Sequence, residues 1–146
     1  MSREIRYRAW LCYEKKYVYV LAIHFAEIGE PTTIDYIEDS KIKTAIVGQF
    51  ELEQDTGLKD KNGKKIFEGD IVKYLSYRKD YIGQVVFDFV DDSEGYYVEK
   101  HYGWGIRRDD YNSSLGDYAD DNMKCELVEV IGNIHKNGEL LGGKNE

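Results

Sequence analysis

Carboxylate, amide and hydroxyl oxygens are concentrated between residues 110 and 121, where their spacing comes closest to a metal site. Asp110, Asn112 and Ser114 occupy every second position, and Asp121 is the twelfth residue counted from Asp110. This spacing imitates a calcium-binding loop. The sixth position, however, is Leu115 where that loop has glycine, and the twelfth is aspartate where it has glutamate. Since Asp, Asn and Ser are also common turn formers, the four residues are weak metal candidates only.

A second set of carboxylates, Asp60, Glu68 and Asp70, flanks the short apolar pair Ile66-Phe67. These three acids could form an acidic site, but the favoured interpretation is that they close turns and cap strand ends. The sequence has no nucleophile elbow, phosphate-binding loop, dinucleotide-binding turn or zinc-protease motif. We therefore predict no catalytic residue and no cofactor.

The histidines and cysteines show no spacing that is typical of a site. His24 lies in an apolar stretch, which favours a core or interface role, and His101 and His135 are each next to a predicted strand end. Cys125 and His135 form a distant pair without a third group to support it. Because no framework of cysteine spacings exists, Cys12 and Cys125 are predicted to be free thiols in a reducing cytosol.

The composition favours a folded, mainly β protein. The chain has 146 residues, of which 42% are hydrophobic, and it contains 13 tyrosines. Tyrosine is enriched in half-buried sheet positions, where the ring packs and the hydroxyl contacts water. No apolar run approaches the length of a membrane span, and the N-terminus lacks the apolar region of a signal peptide. The expectation is one cytoplasmic domain with no membrane contact.

The negative charge is concentrated in one segment. The net charge is −8, yet residues 1–87 are neutral, whereas residues 88–121 carry 10 acidic and 3 basic residues, a net charge of −7. Tight duplex DNA binding needs a basic surface, so it is predicted to be absent. Two nucleic-acid alternatives remain: the acids could imitate a DNA backbone, or aromatic residues of a small barrel could stack on single strands. The candidate stacking residues are Tyr96, Tyr97, Tyr102 and Trp104.

Period-two patterns and turn residues predict at least six strands. Residues 5–11 and 17–25 are predicted to pair as antiparallel strands, and the second, apolar on both faces, is expected at the centre of a sheet. Asn62-Gly63 predicts a type I′ hairpin turn, with positive φ at Gly63 and also at Gly69. Gly83 predicts a bulge. Residues 107–124 are predicted to form an exposed loop, which could contain one helical turn.

These elements predict a mainly β fold with little helix: an antiparallel sheet plus a small, bent SH3-like barrel. The predicted single domain has an N-terminal strand pair and connector over residues 1–44, a barrel-like region over 45–141 and a tail over 142–146. Residues 26–44 are the hardest to assign, and Thr32 or Thr33 could cap a short helix there.

Three blocks of sequence together resemble the YopX family. They are Arg6-Tyr7-Arg8-Ala9-Trp10, then the segment from Thr56-Gly57-Leu58 through Glu68-Gly69-Asp70-Ile71-Val72, and finally Val130-Ile131-Gly132-Asn133-Ile134 with Leu140-Leu141. The resemblance covers almost the whole chain. It implies a small protein encoded by a phage or prophage and acting in the cytoplasm of a bacterial host. It supplies no activity and no functional residues.

Three classes of function follow from these patterns. The leading hypothesis is a binding protein that modulates a host or phage protein, since this role needs no catalytic constellation. The alternatives are a nucleic-acid-associated accessory protein and an enzyme of unknown class. Self-association is also predicted, because strands with apolar side chains on both faces, above all residues 17–25, are often covered by a second copy.

Overall fold

Strands make up most of the computed structural model, which describes residues 6–91, 100–109 and 111–142. Within those ranges the chain has no α-helix, only the short 3₁₀ turns Gly116–Tyr118 and Gly138–Leu141, and none of its helices is long and apolar enough to cross a membrane. The predicted mainly β class is confirmed. The strands are β1 (Tyr7–Leu11), β2 (Lys16–Phe25), β3 (Pro31–Glu38), β4 (Lys41–Ile46), β5 (Phe50–Lys59), β6 (Lys65–Phe67), β7 (Asp70–Ser76), β8 (Lys79–Asp91), β9 (Lys100–Arg108), β10 (Tyr111–Ser114) and β11 (Val128–Asn133).

The strands form two open antiparallel sheets. The first has the order β4-β3-β2-β1-β5-β6 and the second the order β10-β9-β8-β7-β11. β1 pairs antiparallel with β2, and β2 is an inner strand between β1 and β3, both as predicted. A barrel would pair the first strand of a sheet with the last, and neither sheet does so. The predicted SH3-like barrel is therefore not confirmed.

The contacts of the chain divide it into two units, Met1–Asp55 and Thr56–Glu146, each with its own core. The division falls within β5, and the predicted boundary at residue 45 falls within β4. The single-domain organisation stays a prediction. The core of the first unit contains Ala9, Leu11, Val18, Ile34, Tyr36 and Ala45. The core of the second contains Leu58, Ile66, Val72, Tyr74, Val85, Ile106, Leu115, Cys125 and Val128.

Residues 26–44, for which the sequence predicts no clear helix or strand, contain β3 and the start of β4. A helix capped by Thr32 or Thr33 is not found, since both residues lie in β3. Ile34 and Tyr36 are buried on one face of the strand, which is the period-two pattern of a half-buried strand. β3 and β4 are joined by the two-residue turn Asp39-Ser40, in which both residues have positive φ.

The predicted type I′ turn at Asn62-Gly63 is wrong, although the turn itself exists. Gly63 has a φ of 80°, but Asn62 does not have positive φ. Gly63 N–H donates to the carbonyl of Asp60, and Asp60 N–H donates to the carbonyl of Lys64, so the loop has three residues and its last residue is left-handed. The predicted positive φ at Gly63 and Gly69 is confirmed.

Gly83 does not mark a bulge, because β7 and β8 pair in continuous register through Val72 and Gly83. A Cβ at Gly83 would lie 2.6 Å from Cγ2 of Ile106 and 2.7 Å from the carbonyl oxygen of Arg107. Glycine is therefore needed here for the close approach of β9. The register shifts between the described strands lie elsewhere: at Leu21 in β2, at Thr32 in β3 and at Ile131 in β11.

Candidate functional site

Two carboxylates of the central turn region, Asp60 and Asp70, are buried and hold backbone groups. Oδ1 of Asp60 accepts hydrogen bonds from the backbone N–H groups of Asn62 and Lys64, and Oδ2 accepts one from Val130, all at 2.9 Å. Asp70 Oδ2 accepts the N–H of Phe67 at 2.8 Å. These carboxylates close turns, as predicted, and their oxygens face protein amides rather than a ligand.

The acids near residue 120 include a second copy of the same turn. Oδ1 of Asp120 accepts the backbone N–H groups of Asn122 and Lys124 at 2.8 and 3.0 Å. Met123 occupies the left-handed position that Gly63 occupies in the first turn. Lys59 N–H donates to the carbonyl of Met123, so the two turns lie side by side. This part of the acidic segment therefore has a structural role.

The calcium candidates lie partly on a strand. Asn112 and Ser114 belong to β10, where Asn112 pairs with Arg107 and its Oδ1 accepts a hydrogen bond from Arg107 Nε at 3.3 Å. Ser114 is buried, Asp121 is exposed, and Asp110 lies outside the described residues. The predicted loop over 107–124 is wrong where β9 ends and where β10 forms, whereas the 3₁₀ turn Gly116–Tyr118 is the one helical turn that the segment was expected to allow. Among the residues that the structure describes, no three acidic, histidine or cysteine side chains are grouped to hold a metal.

The cysteines offer little nucleophilic chemistry. Cys125 is fully buried in the second core, and burial, aided by the nearby negative charges of Asp120 and Asp60, raises the pKa of its thiol to about 11. A thiol with that pKa stays protonated at neutral pH and is a poor nucleophile. Cys12 is half-buried, and both cysteines are free, as predicted.

Exposed apolar side chains and a polar group share one face of the strands β2, β3 and β4. We call it the outer face, and it is opposite the buried side chains of Ile34 and Tyr36. Ile37 of β3 pairs with Ile42 of β4, and the register of β2 places Tyr19 next to Ile37 on the other side. Tyr19 is 78% exposed and Ile42 is 71% exposed. A row of large apolar side chains therefore crosses three strands in contact with solvent.

A polar group lies at the centre of the outer face. His24 Nε2 lies 3.0 Å from Asp35 Oδ2, and Thr44 Oγ1 donates to Asp35 Oδ1 at 2.7 Å. These hydrogen bonds, that of His24 foremost, lower the pKa of Asp35 below its usual value. The carboxylate bridges the other two side chains, whereas a nucleophilic triad needs histidine between the hydroxyl and the carboxylate. The group joins β2, β3 and β4 and does not activate Thr44.

The free edge of the first sheet is β4. The two-residue hairpin makes Glu38 and Lys41 a hydrogen-bonded pair, so alternate residues of β4 face β3 and the others face outward. Ile46 follows this alternation, because its N–H and C=O do not face β3: the N–H donates to Oε1 of Gln49, and the C=O accepts the N–H of Gln49. Ile42 and Thr44 therefore turn their N–H and C=O groups away from the sheet. This edge was missed because residues 26–44 gave no clear strand pattern.

The second unit has an exposed hairpin tip of basic and aromatic residues. Tyr77 and Arg78 form the two-residue turn between β7 and β8, with φ values of 50° and 68°, and Tyr77 is 89% exposed. Nearby along the chain, Tyr81 stacks under the guanidinium of Arg108, which lies 3.9 Å from the ring centre. Arg108 Nε also donates to the hydroxyl of Tyr74 at 3.2 Å. The sequence did not single out this tip.

Of the four aromatic residues proposed for stacking, the structure describes the side chain of Trp104 alone. Tyr96 and Tyr97 lie outside the described residues, and the side chain of Tyr102 is not described. Trp104 is half-buried and packs edge-on against Phe87, with ring centres 5.1 Å apart. The ring of Trp104 is therefore partly occupied by a neighbour within the sheet.

Comparison with known proteins gives one family and a similar fold. The family described as YopX protein matches residues 6–142. No curated protein matches the chain. The crystal structure of protein EF1440 from Enterococcus faecalis is similar over 96% of this chain and 99% of that chain, with 24% sequence identity and a TM-score of 0.60. At this identity the likeness shows a shared fold and no shared activity.

Proposed function

Since the chain belongs to the YopX family, we propose that it is a phage or prophage protein that binds a protein of the bacterial host or of the phage. In this proposal the chain acts in the host cytoplasm by docking and carries out no reaction itself. The docking surface is the outer face of β2, β3 and β4. The partner presents apolar side chains to the exposed row of Tyr19, Ile37 and Ile42.

The exposed row of Tyr19, Ile37 and Ile42 is the observation that supports this proposal. Large apolar side chains that share a surface are costly to leave in water, at roughly 25 cal/mol for each Å². Contiguous apolar patches on a folded protein mark interaction sites. The polar group at Asp35 provides a fixed hydrogen-bonding centre inside the apolar surround, an arrangement that suits specific recognition.

Site-specific photo-crosslinking in the bacterial host tests the proposal. A photoreactive amino acid replaces Ile42 on the outer face, and a control replaces Tyr77, which is even more exposed and lies in the second unit. We expect a discrete protein adduct from position 42 and none from position 77. Ile42→Asp should then weaken binding of the purified partner at least about tenfold, because it places a charge in an apolar contact. Identical adducts at both positions would overturn the proposal.

A second copy of the chain is the other occupant that this experiment can reveal. An adduct of twice 17.0 kDa from position 42, together with a larger particle in light scattering that Ile42→Asp disperses, would assign the outer face to self-association. That result would support the predicted homo-oligomer and overturn the separate partner.

The hairpin tip supports a second candidate function, contact with single-stranded nucleic acid. Tyr77 could stack on a base while Arg78 and Lys79 contact phosphate groups. Asp80 directly follows Lys79, and Asp109 directly follows Arg108; both negative charges oppose this contact. Anisotropy with a labelled oligothymidine tests it: binding that Tyr77→Ala abolishes would favour this function, and no binding at about 0.05 M salt would remove it.

A further inference from the structure

We infer that the free edge of β4 binds an extended segment of the partner in which apolar and acidic residues alternate. This inference rests on the proposed function and names the part of the partner that is recognised. Three independent properties of β4 lead to it: its outward-facing backbone groups, which no other described strand pairs, the apolar side chains on one of its faces and the lysines on the other.

The backbone of β4 offers hydrogen-bonding groups along its outer edge. Ile42 and Thr44 direct two N–H and two C=O groups away from the sheet, and β4 is the last strand in the order of the sheet. An added strand can satisfy all four groups, as in recognition by β-strand addition. Ile46 sets one end of this site, because its own N–H and C=O are bonded to Gln49. The edge therefore accommodates a short extended segment.

The outer face requires apolar residues in the segment. Ile42 and Ile46 are both more than half exposed on this face, and Ile37 adjoins Ile42 on β3. A strand that pairs with β4 places every second side chain beside these isoleucines. Cross-strand apolar pairs of this kind stabilise a sheet, so the segment should carry apolar residues at alternate positions.

The opposite face requires acidic residues. Lys41 and Lys43 lie on it, and Lys43 Nζ is 2.7 Å from Glu38 Oε1. Lys16 also forms an ion pair with Glu38. Lys16 is shared with Glu14, whose Oε1 lies 3.4 Å from Lys16 Nζ. β4 itself contains two lysines and no acidic residue, so the edge strand is positively charged. Acidic side chains in the remaining positions of an added strand would complement the lysines.

The same lysines disfavour a second copy of the chain at this edge. A symmetric antiparallel pair that uses the free groups of both Ile42 and Thr44 must place Lys43 directly opposite Lys43 of the other copy. Like charges in directly opposite positions destabilise a sheet. Lysine on an edge strand is in fact a common means of preventing self-pairing.

Labelled peptides with blocked termini test the inference on the full chain. The acidic probe is a heptapeptide of alternating Glu and Val, and the basic probe has Lys in place of Glu. A third probe keeps the acidic sequence but carries N-methyl groups at alternate residues, which removes the edge-pairing N–H donors. We expect the acidic probe to bind at least about fivefold more tightly than the basic one and the methylated probe not to bind, since each opposite-charge pair contributes modestly.

The double variant Lys41→Glu with Lys43→Glu should reverse the preference, so that the basic probe binds more tightly. Both lysines are exposed, and an unchanged far-UV spectrum would show that the variant folds. Equal binding of the three probes, a preference that the double variant leaves unchanged, or no binding at about 1 mM peptide would overturn the inference. Photo-crosslinking at position 42 would in that case still decide the proposed function separately.

Discussion

Asp60 illustrates how a single residue organises the second unit. Asp60 is only 1% exposed to solvent. Its carboxylate accepts hydrogen bonds from three backbone N–H groups, one of which belongs to Val130, 70 residues away. Asp120 makes the equivalent turn at an exposed position. The two aspartates have the same local turn, and they differ in burial and in the bond that Asp60 accepts from Val130. Comparing them therefore separates these two contributions from that of the turn.

Asp60→Ala should therefore destabilise the protein by about 3 kcal/mol, because it leaves buried N–H groups without acceptors. Asp120→Ala, the matched control, should cost about 1 kcal/mol or less, since water can replace the lost carboxylate. Urea denaturation of the two variants measures the difference. Equal losses would show that the contact of Asp60 with Val130 contributes nothing.

The two cysteines should differ in reactivity. With a pKa of about 11, the thiol of Cys125 is deprotonated in only about one molecule in a thousand at pH 8. Since Cys125 is also buried, we expect Ellman's reagent to modify Cys12 alone in the native protein and both thiols in denaturant. Rapid modification of two thiols without denaturant would contradict this expectation.

At the scale of elements, Asp35 joins three neighbouring strands through His24 and Thr44. Because the folded-state pKa of Asp35 is lowered, its ionised form adds stability above the unfolded-state pKa, and this contribution is lost as the pH falls through the folded value. Between about pH 5 and about pH 2, the wild type should lose more stability than Asp35→Asn, whose amide does not titrate. Thermal melts across this range test the prediction, with Glu27→Gln, at an exposed loop position, as control.

The β7–β8 turn has a conformation that its residues disfavour. A left-handed residue other than glycine costs roughly 1–2 kcal/mol, and both Tyr77 and Arg78 have positive φ. The paired change Tyr77→Asn and Arg78→Gly supplies the residues that a type I′ turn prefers. It should raise the free energy of unfolding by about 1 kcal/mol or more. A lower melting temperature would mean that the side chains make stabilising contacts at the tip.

At the scale of the whole molecule, charge decides which polymers the chain can bind. The net charge is −8, and the acids are concentrated in residues 88–121. The segment with Lys59, Lys61, Lys64 and Lys65 is locally basic, but Lys61 Nζ lies 3.5 Å from Oε1 of Glu129. Duplex binding depends on neutralising phosphates with basic side chains, and this distribution offers few of them.

We therefore expect no duplex DNA binding tighter than the weak nonspecific range of roughly 10⁻⁴–10⁻⁶ M at about 0.15 M salt. Anisotropy with a random duplex at two salt concentrations measures it. Submicromolar binding that weakens steeply with salt would show that the fold gathers basic side chains on one surface, and it would favour the nucleic-acid function over protein docking.

The sequence by itself determined the strands whose signal is local. Alternation of apolar and polar residues identified β1 and β8, and runs of strand-forming residues identified β2 and β7. Glycine at residues 63 and 69 indicated left-handed backbone, because no other residue adopts it at so little cost. The inner position of β2 also followed, since a strand that is apolar on both faces is typical of a sheet interior. The three blocks of family resemblance depended on the same turns and strands.

Only the tertiary structure decided which surfaces stay exposed. Alternation shows that Ile37 and Ile42 point away from Ile34, but the pattern holds no information on whether another layer covers them. The free edge of β4 follows from the order of strands, and the burial of Asp60 follows from Val130, which is distant in sequence. The exposure of these isoleucines, the edge position of β4 and the burial of Asp60 are all set by contacts between segments that are distant in sequence. A local sequence pattern does not contain such contacts.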